Sequence, residues 1–517
     1  MTEKAEKEKA EKAAAPKTPV RQRMITFLCP PIGLLLLWRG SQSVARRLFV
    51  TLFILFYCLP YTAAILAGLS ALHLIEFEWK GGRVPRIVHR RTLPDFEKLD
   101  ASRAQQGRAT TVAIPDGAAH WTDFRGPNRD GHYTQQPILT HWPKAGPPLL
   151  WRQPGGGGYA SFVMAHGRAF TIEQRREKEV VAAYDLATGR ELWEHGWPAA
   201  FNDQWDMGGI GPRATPTWHE GRVYALGAEG QLACLEESTG RLLWQRNALA
   251  ENHSANLDFG LSAAPLVVDG NLVVPLGHPD EARGTTVVAY NKLSGAIVWK
   301  TAAGKLAYNS PMLVTLAGRR QILLAGAHHA LALAPEDGRV LWKFPWAVPY
   351  DNNIAQPLLL GGDKVFLSAG YGAGSVLFEI RRKEKEGGFE AAELWRSKQM
   401  KNKFTSSVFW QGHIYGLDED ILVCLDAATG QRRWKEGRYG YGQLLLASGH
   451  LLVLCGNGDL ALVRANPDRH EEVARVPGVK GKTWNHPALA EGRLLIRNGA
   501  EMACFDLSLP GKPAVAP

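Results

Sequence analysis

The sequence predicts an all-β fold: an eight-bladed β-propeller of four-stranded antiparallel blades, closed by an N-terminal strand and preceded by one transmembrane helix. Three observations predict it. A Trp-ended phrase recurs at fixed internal spacing through most of the chain beyond residue 148. A second strand–turn–strand unit sits between successive copies of the phrase. Near the N-terminus, Leu48–Ile75 runs for 28 residues without an Asp, Glu, Lys or Arg.

Composition removes several classes at once. A chain of 517 residues that is 45% hydrophobic and 21% charged is neither disordered nor a coiled coil. Six Cys with no CxxC spacing exclude a disulfide-stapled scaffold, a zinc ribbon and c-type haem attachment. The net charge of +10 is unevenly spread: residues 1–100 carry 16 Lys and Arg against 9 Asp and Glu, and the remainder 44 against 41. A nucleic-acid-binding domain concentrates its basic charge on one face. Here the excess flanks an apolar segment, so no nucleic-acid partner is expected.

Taken in order, residues 1–23 form a charged tail, opening with a solvated Lys/Glu/Ala run. Residues 24–47 hold an apolar stretch, Met24–Trp38, and a basic linker. That stretch is 15 residues long and is broken by Pro30 and Pro31. It is short for a span and reads as interfacial or re-entrant. Residues 48–75 are the predicted helix, since 28 residues at about 1.5 Å each exceed the roughly 30 Å hydrocarbon layer. Pro60 kinks it, which a lipid-embedded helix tolerates. The segment starts too far into the chain and runs too long for a cleaved signal peptide. Arg21, Arg23, Arg39, Arg46 and Arg47 precede it and Lys80, Arg83, Arg86, Arg90 and Arg91 follow it, so local charge does not set its orientation. Residues 76–120 read as a linker and 121–148 as a leader packed on the propeller. Residues 149–508 are the propeller and 509–517 a disordered C-terminus.

The recurring phrase is AYDLATGRELW (Ala183–Trp193), CLEESTGRLLW (Cys234–Trp244), AYNKLSGAIVW (Ala289–Trp299), ALAPEDGRVLW (Ala332–Trp342) and CLDAATGQRRW (Cys424–Trp434). Each copy reads as strand, tight turn, strand. A short polar side chain bonds the turn backbone and Gly supplies positive φ. Between copies lies a second hairpin, as in PTWHEGRVYAL from Pro216 and PLVVDGNLVVP from Pro265. Four strands in about 40–55 residues is the period of a propeller blade. Counting outer strands by Trp193, Trp244, Trp299, Trp342, Trp395, Trp434 and a degenerate copy at 473–476 gives seven blades. The chain then ends three strands into an eighth, and the orphan Leu149–Trp151 supplies its fourth strand. Closure of this kind leaves no open sheet edge.

The regular indoles, Trp151 included, are expected to dock one blade on the next by burying apolar surface. Cys234, Cys424 and Cys504 occupy the small first position of the phrase, which Ala fills elsewhere, and read as buried apolar residues.

The A-x-D-x-x-x-G-x-x-x-W phrase resembles the tryptophan-docking motif of the pyrroloquinoline quinone (PQQ)-like β-propellers. The resemblance covers residues 121–507, and the leader WTDFRGPNRDGHY (Trp121–Tyr133) is similar to the opening of bacterial members known by the repeat alone. The family includes the quinoprotein alcohol dehydrogenases and the propeller lipoprotein of the barrel-assembly machinery. It implies export, which puts the propeller on the periplasmic side of the inner membrane that the predicted helix 48–75 would cross once. Because the motif is a packing device, it fixes fold rather than function.

Function in such a ring gathers on the connections from each outer strand to the next inner strand. The residues expected to bind a ligand or partner there are Trp205, Asp206, Arg213, Asn309, Asn353, Trp484, Asn485 and His486. No metal site and no catalytic residue is assigned. GxSxG, GxxxxGK[ST] and HExxH are absent. The reading is a scaffold for a protein or ligand in the cell envelope, with no evident catalytic apparatus. One alternative is a PQQ- and calcium-dependent dehydrogenase, whose oxygen-ligated calcium the Asp and Asn of the loops would suit. Against it, no adjacent Cys pair and no haem motif is present. The other alternative is a ligand sensor coupled through the membrane helix.

Overall fold

The computed structural model describes residues 44–71, 75–78, 86–89, 93–106, 121–203, 208–277, 284–384 and 388–509. The charged tail, Met24–Trp38 and the last eight residues lie outside this set. Two compact units divide the chain, Met1–Arg91 and Thr92–Pro517.

In the first unit Val44–Ala71 is one α-helix, and Ile75–Glu78 pairs antiparallel with Arg86–His89. The helix therefore begins earlier than the predicted span and stops before Ile75. Among the described residues, no helix is long and apolar enough to cross a membrane. Many side chains of Val44–Ala71 are outside the described set, and the expected transmembrane helix is not a finding of this structure. The stretch 76–120 holds all of that hairpin but Ile75 and an α-helix, Phe96–Gln106, started by the Asp95 side chain accepting the Lys98 amide at 3.0 Å.

The second unit is an all-β, eight-bladed propeller. Its blades, numbered in chain order, span 163–198, 217–247, 266–301, 312–345, 358–397, 408–438, 443–477 and 488–506. Each is a four-stranded antiparallel sheet. Blade 7 gains a fifth, parallel strand from His132–Tyr133, and blade 8 takes Leu149–Pro154 as its outer strand.

The docking phrase has a geometric reason at each conserved point. The small first residue lies directly across the sheet from the indole: Ala183 opposite Trp193, Cys234 opposite Trp244, Cys504 opposite Trp151. A bulge follows each pair and re-aims the outer strand. The polar third residue braces the turn, as Asp185 Oδ1 accepts from Thr188 N at 2.8 Å. The Gly stands at positive φ against the previous blade's indole. A Cβ on Gly240 (φ +70) would fall 2.4 Å from the Trp193 ring. The indole N–H then donates to a turn carbonyl of that next blade: Trp193 to Glu237 at 2.7 Å, Trp244 to Lys292 at 3.1 Å, Trp434 to Asn466 at 2.9 Å. Burying an indole of about 200 Å² contributes about 5 kcal/mol of transfer free energy. The thiols of Cys234, Cys424 and Cys504 are pushed up to about 12 by burial, so they pack rather than react.

Two seams depart from the rule. Trp342 donates to Gln321 Oε1 within its own blade at 2.6 Å, and Phe378 meets it edge-on at 5.8 Å. Blade 7 carries Ala474 where the indole belongs, and Trp142 of the leader joins the same apolar cluster.

The leader runs across the inner strands. Trp121 pairs with Met164 of blade 1, and Thr122 O accepts the Trp218 amide of blade 2 at 2.9 Å. Arg129, 2% exposed, donates to Ala264 O and Pro265 O of the connection into blade 3 and to Pro311 O before blade 4. Arg125 reaches Ser407 O before blade 6 at 2.9 Å. The FRGPNRDG segment is thus a central cross-brace that ties the inner strands together.

Candidate functional site

Each connection from an outer strand to the next inner strand contributes an aromatic side chain. Tyr159 precedes blade 1, Phe201 blade 2, Phe259 blade 3 and Tyr308 blade 4. Tyr350, Phe404, Tyr441 and Trp484 precede blades 5 to 8. Six of the eight rings touch another of the set. Tyr159 stacks on Trp484 at 5.4 Å between centroids, Trp484 meets Phe404 at 4.4 Å, and Phe404 meets Tyr441 edge-on at 5.3 Å. Phe259 lies 5.9 Å from Tyr308. Tyr350 packs edge-on at 5.5 Å against Tyr371 from the central hairpin of blade 5.

Three cations are threaded through this rim. The Lys403 ammonium is 4.5 Å from the Tyr441 centroid and 5.0 Å from Tyr371. Arg213 is 4.6 Å from Phe201 and 5.7 Å from Tyr159, and Lys482 is 3.7 Å from Trp484. The negative faces of the rings attract these charges. Burial raises the phenols of Tyr308 and Tyr371, the latter to about 12, so neither supplies a compensating anion near neutral pH. The rim is aromatic with cations set against its ring faces, a surface suited to acidic or π-rich groups.

Arg213 is held firmly. It donates to Gly209 O at 2.6 Å and to Gly211 O, and stands 3.8 Å from Asp203. Tyr350 is 80% exposed at φ +60, and Asp351 beside it has φ +57. Two successive non-Gly residues in this region are costly. The Asp351 carboxylate anchors them by accepting from Lys305 and pairing with His328 Nε2 at 3.1 Å.

Trp205 and Asp206 fall outside the described residues. Arg213 and Trp484 are brought together, with Tyr159 between them. Asn309, Asn353 and Asn485 are buried, and their amides serve the connections. Asn353 Nδ2 donates to Gly326 O at 2.9 Å, Asn485 Nδ2 to Ala160 O at 2.9 Å, and Asn309 Nδ2 to Ala325 O. His486 packs edge-on against Phe124 at 4.9 Å, and burial with nearby Arg125 holds its imidazole well below the ordinary range. The predicted set holds Trp484 but none of the other seven connection rings, although that signal is present in the same eight segments.

Residues 177–436 match the family described as "Outer membrane protein assembly factor BamB". The chain belongs to this family. The outer membrane protein assembly factor BamB of Yersinia pestis is 23% identical over 268 residues, 48% of this chain and 63% of that protein. Quinohemoprotein alcohol dehydrogenase ADH IIB of Pseudomonas putida is 25% identical over 201 residues, 37% of this chain and 28% of that protein. The chain thus spans less than two thirds of either curated relative. The quinohemoprotein alcohol dehydrogenase structure from Comamonas testosteroni matches with a TM-score of 0.54 at 13% identity, over 80% of this chain and 85% of that one, which is a likeness of fold.

The dehydrogenase relatives raise the question of PQQ with calcium. The described rim does not fit the ion. Asn309 Oδ1 accepts the Ala325 amide at 3.1 Å, Asp203 accepts from Gly208 N and Gly209 N at 2.8 Å, and the unpartnered Asn485 Oδ1 is one neutral oxygen where calcium takes six to eight. Among the described residues no group of three or more His, Cys, Asp or Glu could hold a metal ion.

Proposed function

We propose that this protein is a binding scaffold of the cell envelope whose working surface is the aromatic, cationic rim. The observation that carries the reading is the placement of one aromatic side chain on every inter-blade connection, four of them (Tyr159, Trp484, Phe404 and Tyr441) in one contact chain, interleaved with Arg213, Lys403 and Lys482. Aromatic and Arg anchors are the residue types that carry binding energy at protein interfaces. Membership of a family described as an assembly factor supports a protein partner. The charge of the rim favours a partner loop carrying acidic and aromatic side chains.

The anchor belongs to the same proposal. Val44–Ala71 is a single helix of 28 residues, and Leu48, Leu52, Phe56 and Ile65 are exposed. Apolar side chains exposed along a helix this long are suited to lipid, with the propeller in the periplasm.

The test is site-specific photocrosslinking in membranes. A benzoylphenylalanine at Tyr350 or Phe404 is expected to give one discrete adduct with an envelope protein, which a synthetic peptide of that partner's acidic loop competes away. The same group at Leu242, exposed on an outer strand, is expected to give none. Equal labelling at all three positions would remove the rim from the argument. The dehydrogenase reading, favoured by the Pseudomonas putida relative, makes a separate demand. Tryptophan fluorescence would be quenched saturably by PQQ only when calcium is present. A flat titration on folded protein would discard it.

A further inference from the structure

The outer strands break their own pattern once. At the two positions before the docking indole, or before Ala474 in blade 7, every other blade carries at least one aliphatic residue, as in Leu242–Leu243 and Ile297–Val298. Blade 6 carries Arg432 and Arg433 there. Arg433 stands 3.5 Å from Asp468 of blade 7. Arg432 is exposed, and its side chain makes no hydrogen bond or ion pair among the described residues. Packing does not ask for this charge, because an aliphatic side chain serves the same place in other blades.

Arg432 lines a groove of about 350 Å³ between the end of the outer strand of blade 5, Phe389–Ser397, and the turn entering the outer strand of blade 6, Arg432–Arg438. Arg396, Ser397 and Gln399 line it from blade 5, and Thr429, Gln431 and Arg432 from blade 6. Arg396 is held in place. It donates to Glu393 at 2.7 Å and 3.3 Å, and its guanidinium lies 5.4 Å from the Trp346 ring centroid. Thr429 spends its hydroxyl proton on Asp426 at 2.8 Å. The side-chain amides of Gln399 and Gln431, like Arg432, have no partner among the described residues. No Asp or Glu is among the described lining residues. Glu393 offsets Arg396, so the charge of Arg432 is left uncompensated in a groove edged by neutral donors.

We propose that this groove binds the phosphate group of a small hydroxylated ligand, carried either free or as a phospholipid headgroup. A carboxylate has two oxygens in one plane, and a single guanidinium satisfies both. A phosphate directs its oxygens several ways, which suits guanidinium and amide donors supplied from two different blades. The volume exceeds that of a bare ion, and the Gln amides and the Ser397 hydroxyl can serve hydroxyl groups of the ligand. The groove draws on none of the rim residues, so the two surfaces can be occupied independently.

Calorimetric titration of glycerol phosphate into the full-length protein in phosphatidylcholine nanodiscs, at constant ionic strength, tests this. Saturable binding in the millimolar range is expected. Arg432→Leu restores the side chain that blade 2 uses at the same position, so the ring should fold, and binding is expected to weaken at least about tenfold. Arg433→Leu, one residue away and outside the groove, is expected to bind as wild type does. Equal heats from acetate would overturn the choice of phosphate, and an unchanged titration in Arg432→Leu would overturn the groove. Adding phosphatidylglycerol to the discs separates the two sources. Loss of the free-ligand signal there, restored by Arg432→Leu to no more than its own weak value, assigns the headgroup, and an undiminished signal assigns a free phosphate ester.

Discussion

Trp193 is 9% exposed, lies opposite Ala183, faces the Gly240 turn of the next blade and donates to Glu237 O at 2.7 Å. Trp484 is half-buried, with Tyr159 and Phe404 against its ring and the Lys482 ammonium 3.7 Å from its centroid. The first indole meets groups that recur at the same spacing in blade after blade. The second meets groups from three different connections that share no spacing. An environment supplied by the repeat is a packing environment, because every blade needs it. An environment assembled once, from irregular loops, is where a protein can place a function the fold does not demand.

The largest expected effect comes from removing the repeated indole. Trp193→Ala takes away a buried side chain, its hydrogen bond and the stop for Gly240, and should lower stability by about 3–5 kcal/mol. Denaturant unfolding followed by circular dichroism reads this. A loss near zero would remove the docking account of the whole phrase.

The seam between blades 8 and 1, beside the outer strand Leu149–Pro154 of blade 8, sharpens the comparison from another side. Here a fully buried carboxylate, Glu173, gathers Arg175 at 2.8 Å, Arg497 at 3.4 Å and the Gly156 amide at 2.9 Å, while helix residue Arg103 bonds Gln153 at 2.8 Å. Burial alone would raise the Glu173 carboxyl. Arg175, Arg497 and Arg103 outweigh burial and bring it down from 4.5 to about 2. A depressed carboxylate contributes stability above its unfolded pKa and loses it as pH falls through the folded one. The contribution, on the order of 3 kcal/mol, should therefore be present at neutral pH and vanish between about 4.5 and 2. Glu173→Gln should flatten that acid limb while lowering stability at pH 7, since the buried Arg497 loses its carboxylate partner and Arg175 keeps only Glu191 and Glu194. An unchanged acid limb in the variant would assign it to other groups.

A glycine pair isolates the turn from the indole. Gly240→Ala adds a Cβ 2.4 Å from the Trp193 ring at φ +70, whereas Gly412→Ala at φ +81 meets nothing within 4 Å. Both variants carry the left-handed strain of about 1–2 kcal/mol, and only the first adds overpacking of about 1–3 kcal/mol. Melting temperatures should rank wild type above Gly412→Ala and that above Gly240→Ala. Equal losses would mean that turn conformation, not contact with Trp193, explains the glycine.

These contrasts also show which features were readable in the chain. Blade number, the strand hairpins and the small residue opposite each indole all follow from spacing, because one physical requirement is repeated. The exceptions at Trp342 and Ala474 were not readable, since each is repaired by a distant group, Phe378 in one case and leader Trp142 in the other. The helix Phe96–Gln106 was missed because only Leu99 within it is buried, leaving no amphipathic stripe to detect. At the rim, Arg213 and Trp484 were recognised as outside the repeat. Asn309, Asn353 and Asn485 looked like ligand groups, since an amide spent on a backbone carbonyl cannot be told in sequence from one facing a ligand. The buried arginines of the leader had no signal either, because their partners lie in the connections into blades 3, 4 and 6.

The smallest expected effect on stability is the one that matters most for function. Trp484→Ala removes a half-buried ring whose neighbours are other loop side chains, and should cost about 1–2 kcal/mol. Its effect on binding should be larger. Without the indole, Tyr159 and Phe404 lose the ring between them and Lys482 loses the face that fixes its ammonium. The aromatic arc is then cut at the connection into blade 8, and the crosslink from Tyr350 or Phe404 should weaken although the protein remains folded. Lys482→Met, which removes the cation and keeps the indole, should weaken it less, because an exposed cation–π contact is worth about 0.5–1 kcal/mol. If Trp484→Ala instead destabilises the ring as much as Trp193→Ala while adduct formation on the folded fraction is unchanged, Trp484 belongs with the packing indoles. The rim would then be no more than the upper edge of the core.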